Sequence, residues 1–260
     1  MRFLKKLIHK FLALFNLKIS KLNYGFKSFP IVEADSDEIK LLEISSKYSM
    51  TSLLRRWALI NAIKFIKNEN IDGDFVECGV WKGGNLIIYN KLNDEYNLNK
   101  KIFAYDTFSG MSEPSIHDKN VNNVDAQREW ENNKKTDKIN LSFNCYSNLQ
   151  EVKKNIIDSS SARDPLKNLN FIEGKVEDTL KLPKNLPDKI SILRLDTDWY
   201  ESTKAELEIL YPKLSKNGIL LIDDYGHWKG ARKAVDEFFN DKNVTKHYID
   251  FSCRMIINTS

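Results

Sequence analysis

The sequence predicts a doubly wound α/β domain built on a mostly parallel sheet, and three features carry that expectation. One is a buried strand, Phe75 to Cys78, that breaks into the glycine loop of DFVECGVWKGG and then into a helix starting near Asn85. Another is a second apolar strand, Ile102 to Tyr105, closed by Asp106. The third is a pair of apolar runs, ISILRL and GILLI, that end in carboxylates at Asp196 and at Asp223-Asp224. In doubly wound sheets the carboxyl ends of adjacent strands meet in one crevice, where ligands bind.

Taken in order, residues 1–20 place Phe3, Leu4, Leu7, Ile8, Phe11, Leu12, Leu14 and Phe15 at helical spacing, with Lys5, Lys6, His9 and Lys10 mostly opposite. No apolar run reaches the roughly 18 residues a membrane span needs. Three readings stay open: a basic amphipathic helix lying peripherally on the inner face of a membrane, a helix packed on a second copy in a homo-oligomer, or one docked on its own domain. Residues 1–45 are read as this helix and a connector, and 46–260 as the main domain. EADSDEIKLLEIS suggests a short helix capped by Asp or Ser. Leu53, Leu54, Trp57, Ile60, Ile63 and Ile66 give the helical stripe of the next one, capped by Ser49, Thr51 or Ser52. After Asp106, a polar stretch with little periodicity, about 109–140, reads as a lid-like loop. Phe171-Ile172 form a short strand ending at Glu173-Gly174, and a helix is expected from about Ser202 to Leu214. TKHYIDFSCRMIIN reads as two strands joined by a turn near Asp250–Ser252.

Composition narrows the functional classes. At 260 residues with 42% hydrophobic and 29% charged side chains, the chain supports a core of ordinary size. A net charge of +4 does not announce nucleic acid, so none is expected as a partner. Cys78, Cys145 and Cys253 show no metal or redox spacing, which points to a reduced, cytoplasmic protein.

Glycines at 79, 83 and 84 let the backbone approach a ligand closely, and a helix N-terminus aims at the same spot. Their order departs from the dinucleotide fingerprint G-x-G-x-x-G. With Glu77 two residues before Gly79, it resembles the acid-x-G-x-x-x-G opening of class I S-adenosylmethionine-dependent methyltransferases. An acid there can pair with the ammonium of a sulfonium cofactor, and Asp106 can accept the hydroxyls of a ribose. Three or four carboxylates at the ends of ISILRL and GILLI would repel one another unless a cation sat among them. All-oxygen ligands favour Mg²⁺, Mn²⁺ or Ca²⁺ over zinc.

The set FVECGVWKGG, YDTFSGM, FIEGKVEDTL, LRLDTDWYESTKAELEILYPKL and IDDYGHWKGARKAVDEFF, spanning about Tyr48 to Phe239, resembles the macrocin O-methyltransferase family. The resemblance implies a Rossmann-like class I methyltransferase fold with helices on both faces, an antiparallel C-terminal strand and sheet order 3-2-1-4-5-7-6. It further implies Mg²⁺- or Mn²⁺-dependent transfer from S-adenosyl-L-methionine to a sugar hydroxyl of a glycan, nucleotide sugar or glycosylated metabolite. Asp196, Asp223 and Asp224 would hold the metal, with Asp196 also the base. Cofactor contacts would come from Thr51, Ser52, Glu77, Gly79, Gly83, Gly84, Asp106, Thr107, Phe108, Gly174, Val176, Glu177 and Asp196. Asp198, Trp199, Tyr200, Tyr225, His227 and Arg232 would form the acceptor side, the aromatic residues suiting a carbohydrate face. Two other readings remain: a glycosyltransferase using Asp196-Thr197-Asp198 as a D-x-D motif, and a non-catalytic binding module on the same fold.

Overall fold

The computed structural model of the chain describes residues 31–134 and 145–259. Contacts divide the chain into two compact units, Met1–Ile39 and Lys40–Ser260. The helix expected within residues 1–20 lies outside the described residues. Helix α1 (Ser36–Ser46) begins where Asp35 accepts from the Glu38 amide at 2.9 Å while Glu38 reaches back to the Asp35 amide, a reciprocal cap. Helix α2 (Leu53–Asn68) is capped by Ser52, whose hydroxyl accepts from the Arg55 amide. Then follow β1 (Asp74–Cys78), α3 (Gly84–Glu95), β2 (Ile102–Asp106), α4 (Ala126–Lys134), α5 (Leu149–Asp158), β3 (Leu169–Glu173) and α6 (Val176–Thr179). The chain continues through β4 (Ile190–Leu195), α7 (Tyr200–Leu210), β5 (Leu214–Ile222), α8 (Lys229–Phe238), β6 (His247–Tyr248) and β7 (Arg254–Ile257).

These strands form one seven-stranded sheet in the order β3-β2-β1-β4-β5-β7-β6, as the resemblance implied. The first five run parallel, and β7 lies antiparallel to both β5 and β6. Because side chains alternate along a strand, Val76, Cys78, Leu193, Leu195, Leu220 and Ile222 share one face. There they pack on Leu207 and Leu210 of α7 and Val235 of α8. Phe75 points the other way, its ring centroid 5.1 Å from that of Tyr89 on α3. Glu77 and Arg194 fall on this second face too, and the register sets them side by side across β1 and β4.

Two expectations change. The helix foreseen to Leu214 ends at Leu210, because Pro212 forces a 3-10 turn over Tyr211–Lys213 and β5 starts directly after it. The described part of the loop over 109–140 is also more built than its composition suggests. Asp118 is fully buried, its carboxylate accepting from the Tyr200 amide at the start of α7 (2.8 Å) and from the amide and hydroxyl of Ser115. Lys229 donates to the Lys119 carbonyl, and Ala126 packs with Trp199, Trp228 and Ala231, with Met111 against them. Among the described residues, no helix is long and apolar enough to cross a membrane.

Candidate active site

Register explains why the strand-end acids meet. Leu195 pairs with Ile222 across β4 and β5, so the next residues, Asp196 and Asp223, emerge together; the Asp223 amide donates to the Leu195 carbonyl at 2.9 Å. On the other flank the Asp196 amide donates to the Cys78 carbonyl, which brings the glycine loop against the same strand end. Gly79, at φ +83°, lies so close that a Cβ there would stand 1.9 Å from the Asp196 carbonyl oxygen. Only glycine fits. Gly79→Ala is therefore expected to cost more than 2 kcal/mol of stability through clash and left-handed strain, and to abolish S-adenosylhomocysteine binding by calorimetry; unchanged affinity would show that the loop has no part in the cofactor site.

Asp106 organises that loop: one carboxylate oxygen accepts from the amides of Val80 (2.6 Å) and Trp81 (3.1 Å), the other from Phe108 (2.8 Å). Burial pushes its carboxyl up, and these three donors pull it back.

A cavity of about 230 Å³ opens over the strand ends. Thr51, Gly79, Gly84, Asp106, Thr107, Gly174, Val176 and Glu177 line it together with Asp196, Asp198, Asp223 and Asp224. Four expected cofactor contacts lie outside this lining. Glu77 is 1% exposed and does not reach the cavity; its carboxylate pairs with Arg194 at 2.8 Å and accepts from Asn85 at 2.9 Å. That carboxyl is raised to about 7 by burial, which outweighs the pull of Arg194. Ser52 is spent on capping α2 and donating to Asp250 at 2.6 Å. Gly83 packs against Val152, and Phe108 is buried edge-on against Phe171.

On the acceptor side, Asp198 does line the cavity, in a left-handed turn (φ +66°) whose amide donates to Asp224 at 3.0 Å. The aromatic rim does not form. Trp199 is 2% exposed and lies edge-on to Trp228, with its indole N–H on the Ser112 carbonyl. The Tyr200 hydroxyl is tied to Glu237 and that of Tyr225 to Asp236. Arg232 donates to the carbonyls of Tyr225 and Gly226, and His227 sits between the rings of Trp228 and Phe251 outside the cavity lining. Burial, and then the nearby Arg55 charge, hold His227 below its ordinary pKa.

Sequence reasoning missed Arg55 and Arg194. Arg194 donates to Glu77, Asp196 (2.9 Å) and Asp223 (2.6 Å), and Arg55 pairs with Asp223 (2.5 Å) and Asp250 (2.8 Å). The signal was present for Arg194, since a guanidinium inside an apolar strand requires buried acids around it. Arg55 gave none, because one arginine on an amphipathic helix is ordinary.

The residues fit a hard divalent cation. One carboxylate oxygen from each of Asp196, Asp223 and Asp224 lies within 4.8 Å of the others. Burial first, and then the neighbouring carboxylates, push Asp196 and Asp224 well above the usual range, against the pull of Arg194 on Asp196. A cation relieves that crowding. Each carboxylate oxygen has two lone pairs, so a guanidinium on one leaves another for a metal.

Comparison with known proteins agrees with this layout. Residues 44–255 match the family model described as Macrocin-O-methyltransferase (TylF). The chain is 27% identical over 195 residues to demethyldecarbamoylnovobiocin O-methyltransferase of Streptomyces niveus, covering 75% of this chain and 68% of that protein. It is 29% identical over 199 residues to 8-demethyl-8-(2,3-dimethoxy-alpha-L-rhamnosyl)-tetracenomycin-C 4'-O-methyltransferase of Streptomyces olivaceus, with the same coverages of 75% and 68%. Among solved structures, the O-methyltransferase NovP superposes with a TM-score of 0.68 at 26% identity over 82% of this chain and 83% of NovP. The glycine loop, the strand-end acids and the sheet order thus occur together in a chain that belongs to the macrocin O-methyltransferase family and is itself an O-methyltransferase.

Proposed function

We propose that this protein transfers a methyl group from S-adenosyl-L-methionine to a sugar hydroxyl, with Mg²⁺ or Mn²⁺ held at Asp196, Asp223 and Asp224. The observation that carries the reading is that a glycine loop and a cluster of four aspartates share one cavity. The tetracenomycin relative is, by its name, a 4'-O-methyltransferase of a rhamnosyl-bearing compound, and this supports a sugar as acceptor. When bound, the sulfonium supplies the methyl group and the divalent ion makes an acceptor hydroxyl more acidic.

The chain's own residues do the rest. Gly79 and Gly84 line the pocket for the donor, Asp106 and Thr107 face its ribose, and Gly174, Val176 and Glu177 its adenine. Asp196 accepts the proton of the attacking hydroxyl, with Asp198 beside it. Alignment of donor and acceptor supplies much of the rate. The D-x-D reading of Asp196-Thr197-Asp198 gains nothing from the geometry, because it leaves the glycine loop without a ligand.

The test is a labelled-methyl assay against nucleotide sugars and glycosylated metabolites. Label is expected on a sugar hydroxyl, falling at least roughly 100-fold after chelation by EDTA and returning with Mg²⁺ or Mn²⁺. Activity untouched by chelation would remove the metal from the proposal. Turnover of a nucleotide sugar without methyl transfer would favour glycosyl transfer.

A further inference from the structure

Five acidic side chains converge on this region, Glu77, Asp196, Asp198, Asp223 and Asp224, and three of them, Glu77, Asp196 and Asp223, are met by arginine. The ion pairs form a continuous alternating chain. Asp250, in the turn between β6 and β7, takes Arg55 Nε at 2.8 Å; Arg55 Nη1 donates to one oxygen of Asp223 at 2.5 Å. Arg194 Nη2 donates to the other oxygen of Asp223 at 2.6 Å, and its Nη1 reaches Asp196 at 2.9 Å and Glu77 at 2.8 Å. Both oxygens of Asp223 are thus fixed, from α2 on one side and β4 on the other.

The far end of the chain is anchored as well. Asp250 also accepts from Ser52 at 2.6 Å and from the amides of Ser252 and Cys253, at 2.9 and 2.8 Å. The Ser252 hydroxyl returns to the Asp223 carbonyl at 2.7 Å. Arg55 sits in the middle. Burial works against its charge, but Asp223 and Asp250 outweigh that and hold it firmly protonated.

We propose that Arg55, anchored by Asp250, is a positioning residue that orients Asp223, and through Arg194 also Asp196, for a divalent cation. The inference rests on the metal reading above and extends it to two residues outside the ligand set. Groups hydrogen-bonded to metal ligands fix their direction, and losing one typically weakens metal binding about 10- to 100-fold. The alternative role for Arg55 is simple charge balance, and it predicts the opposite sign. Removing a cation from beside an acidic cluster strengthens the attraction for Mn²⁺ if geometry is unimportant.

The experiment is Mn²⁺ binding by electron paramagnetic resonance on the full chain, with S-adenosylhomocysteine affinity measured alongside as the check on folding. Arg55→Met is expected to raise the Mn²⁺ dissociation constant by about tenfold, with cofactor affinity held within about threefold. Arg55→Lys is expected to fall between, because an ammonium does not fork between two carboxylates as a guanidinium does. Should Arg55→Met fail to bind the cofactor, Asp250→Glu decides. It keeps the charge but displaces the carboxylate that holds Arg55, and is expected to weaken Mn²⁺ about threefold, where charge balance alone predicts no change. Mn²⁺ affinity unchanged or tighter in Arg55→Met, or unchanged in Asp250→Glu, overturns the proposal while leaving the methyl-transfer reading intact. Absence of Mn²⁺ binding by the unmodified protein overturns both this proposal and the metal site.

Discussion

Asp196→Asn is expected to lower kcat for methyl transfer by about a thousandfold, because in the proposed mechanism one side chain would serve as both a metal ligand and the acceptor of the hydroxyl proton. The amide is nearly isosteric, so Arg194 keeps an oxygen to donate to and the Gly79 contact, made by the Asp196 backbone, is untouched. S-adenosylhomocysteine affinity should therefore stay within about threefold, a pattern of lost turnover with retained cofactor binding that marks transition-state chemistry. Calorimetry and a single-turnover methyl assay on one preparation check it. Cofactor binding lost in parallel with activity would mean that Asp196 maintains the pocket and does not act in the reaction.

The second large effect concerns stability. Arg194 is 2% exposed and is the shared partner of Glu77, Asp196 and Asp223. Arg194→Met leaves three carboxylates facing one another without their cation, a change expected to cost about 3–5 kcal/mol. For a chain of this size that corresponds to a fall in Tm of about 6–20 °C, read by calorimetry in EDTA. Arg194→Lys should recover part of the loss, since a single ammonium restores charge but not the two-pronged geometry. A shift of only a degree or two for Arg194→Met would show that the acids are protonated or hydrated and need no guanidinium.

Arg194 also marks where reading the sequence succeeds and where it stops. Buried parallel strands are continuous apolar runs, so Phe75–Cys78, Ile102–Tyr105, ISILRL and GILLI stood out, and the acids ending them were placed correctly at the strand ends. The meeting of Asp196, Asp223 and Asp224 was legible for the same reason: neighbouring strands in register deliver their next residues to one place. Periodicity does not report which tertiary neighbour a side chain chooses. Glu77 was expected to face an ammonium from the cofactor, yet Arg194 lies beside it across the strand pair and takes it. Trp199 was expected at a sugar face, yet with Trp228, Ala126 and Ala231 it closes a small apolar core that fastens the segment after Asp106 to α7 and α8. That segment reads as a polar loop because its order comes from Asp118 and backbone bonds, neither of which leaves a repeating pattern.

The ion chain from Asp250 to Glu77 has a kinetic consequence. Its links join residues 195, 168 and 117 positions apart, and such remote pairings form late, after long loops have closed. While the polypeptide collapses, the acids repel one another with no guanidinium in reach, so the centre of the sheet is its most electrostatically frustrated part until the β6–β7 turn docks. Refolding monitored at Arg55 and Asp250 should accordingly lag behind formation of the β1–β2 pair, and no fragment lacking that turn should hold the aspartates in their mature arrangement.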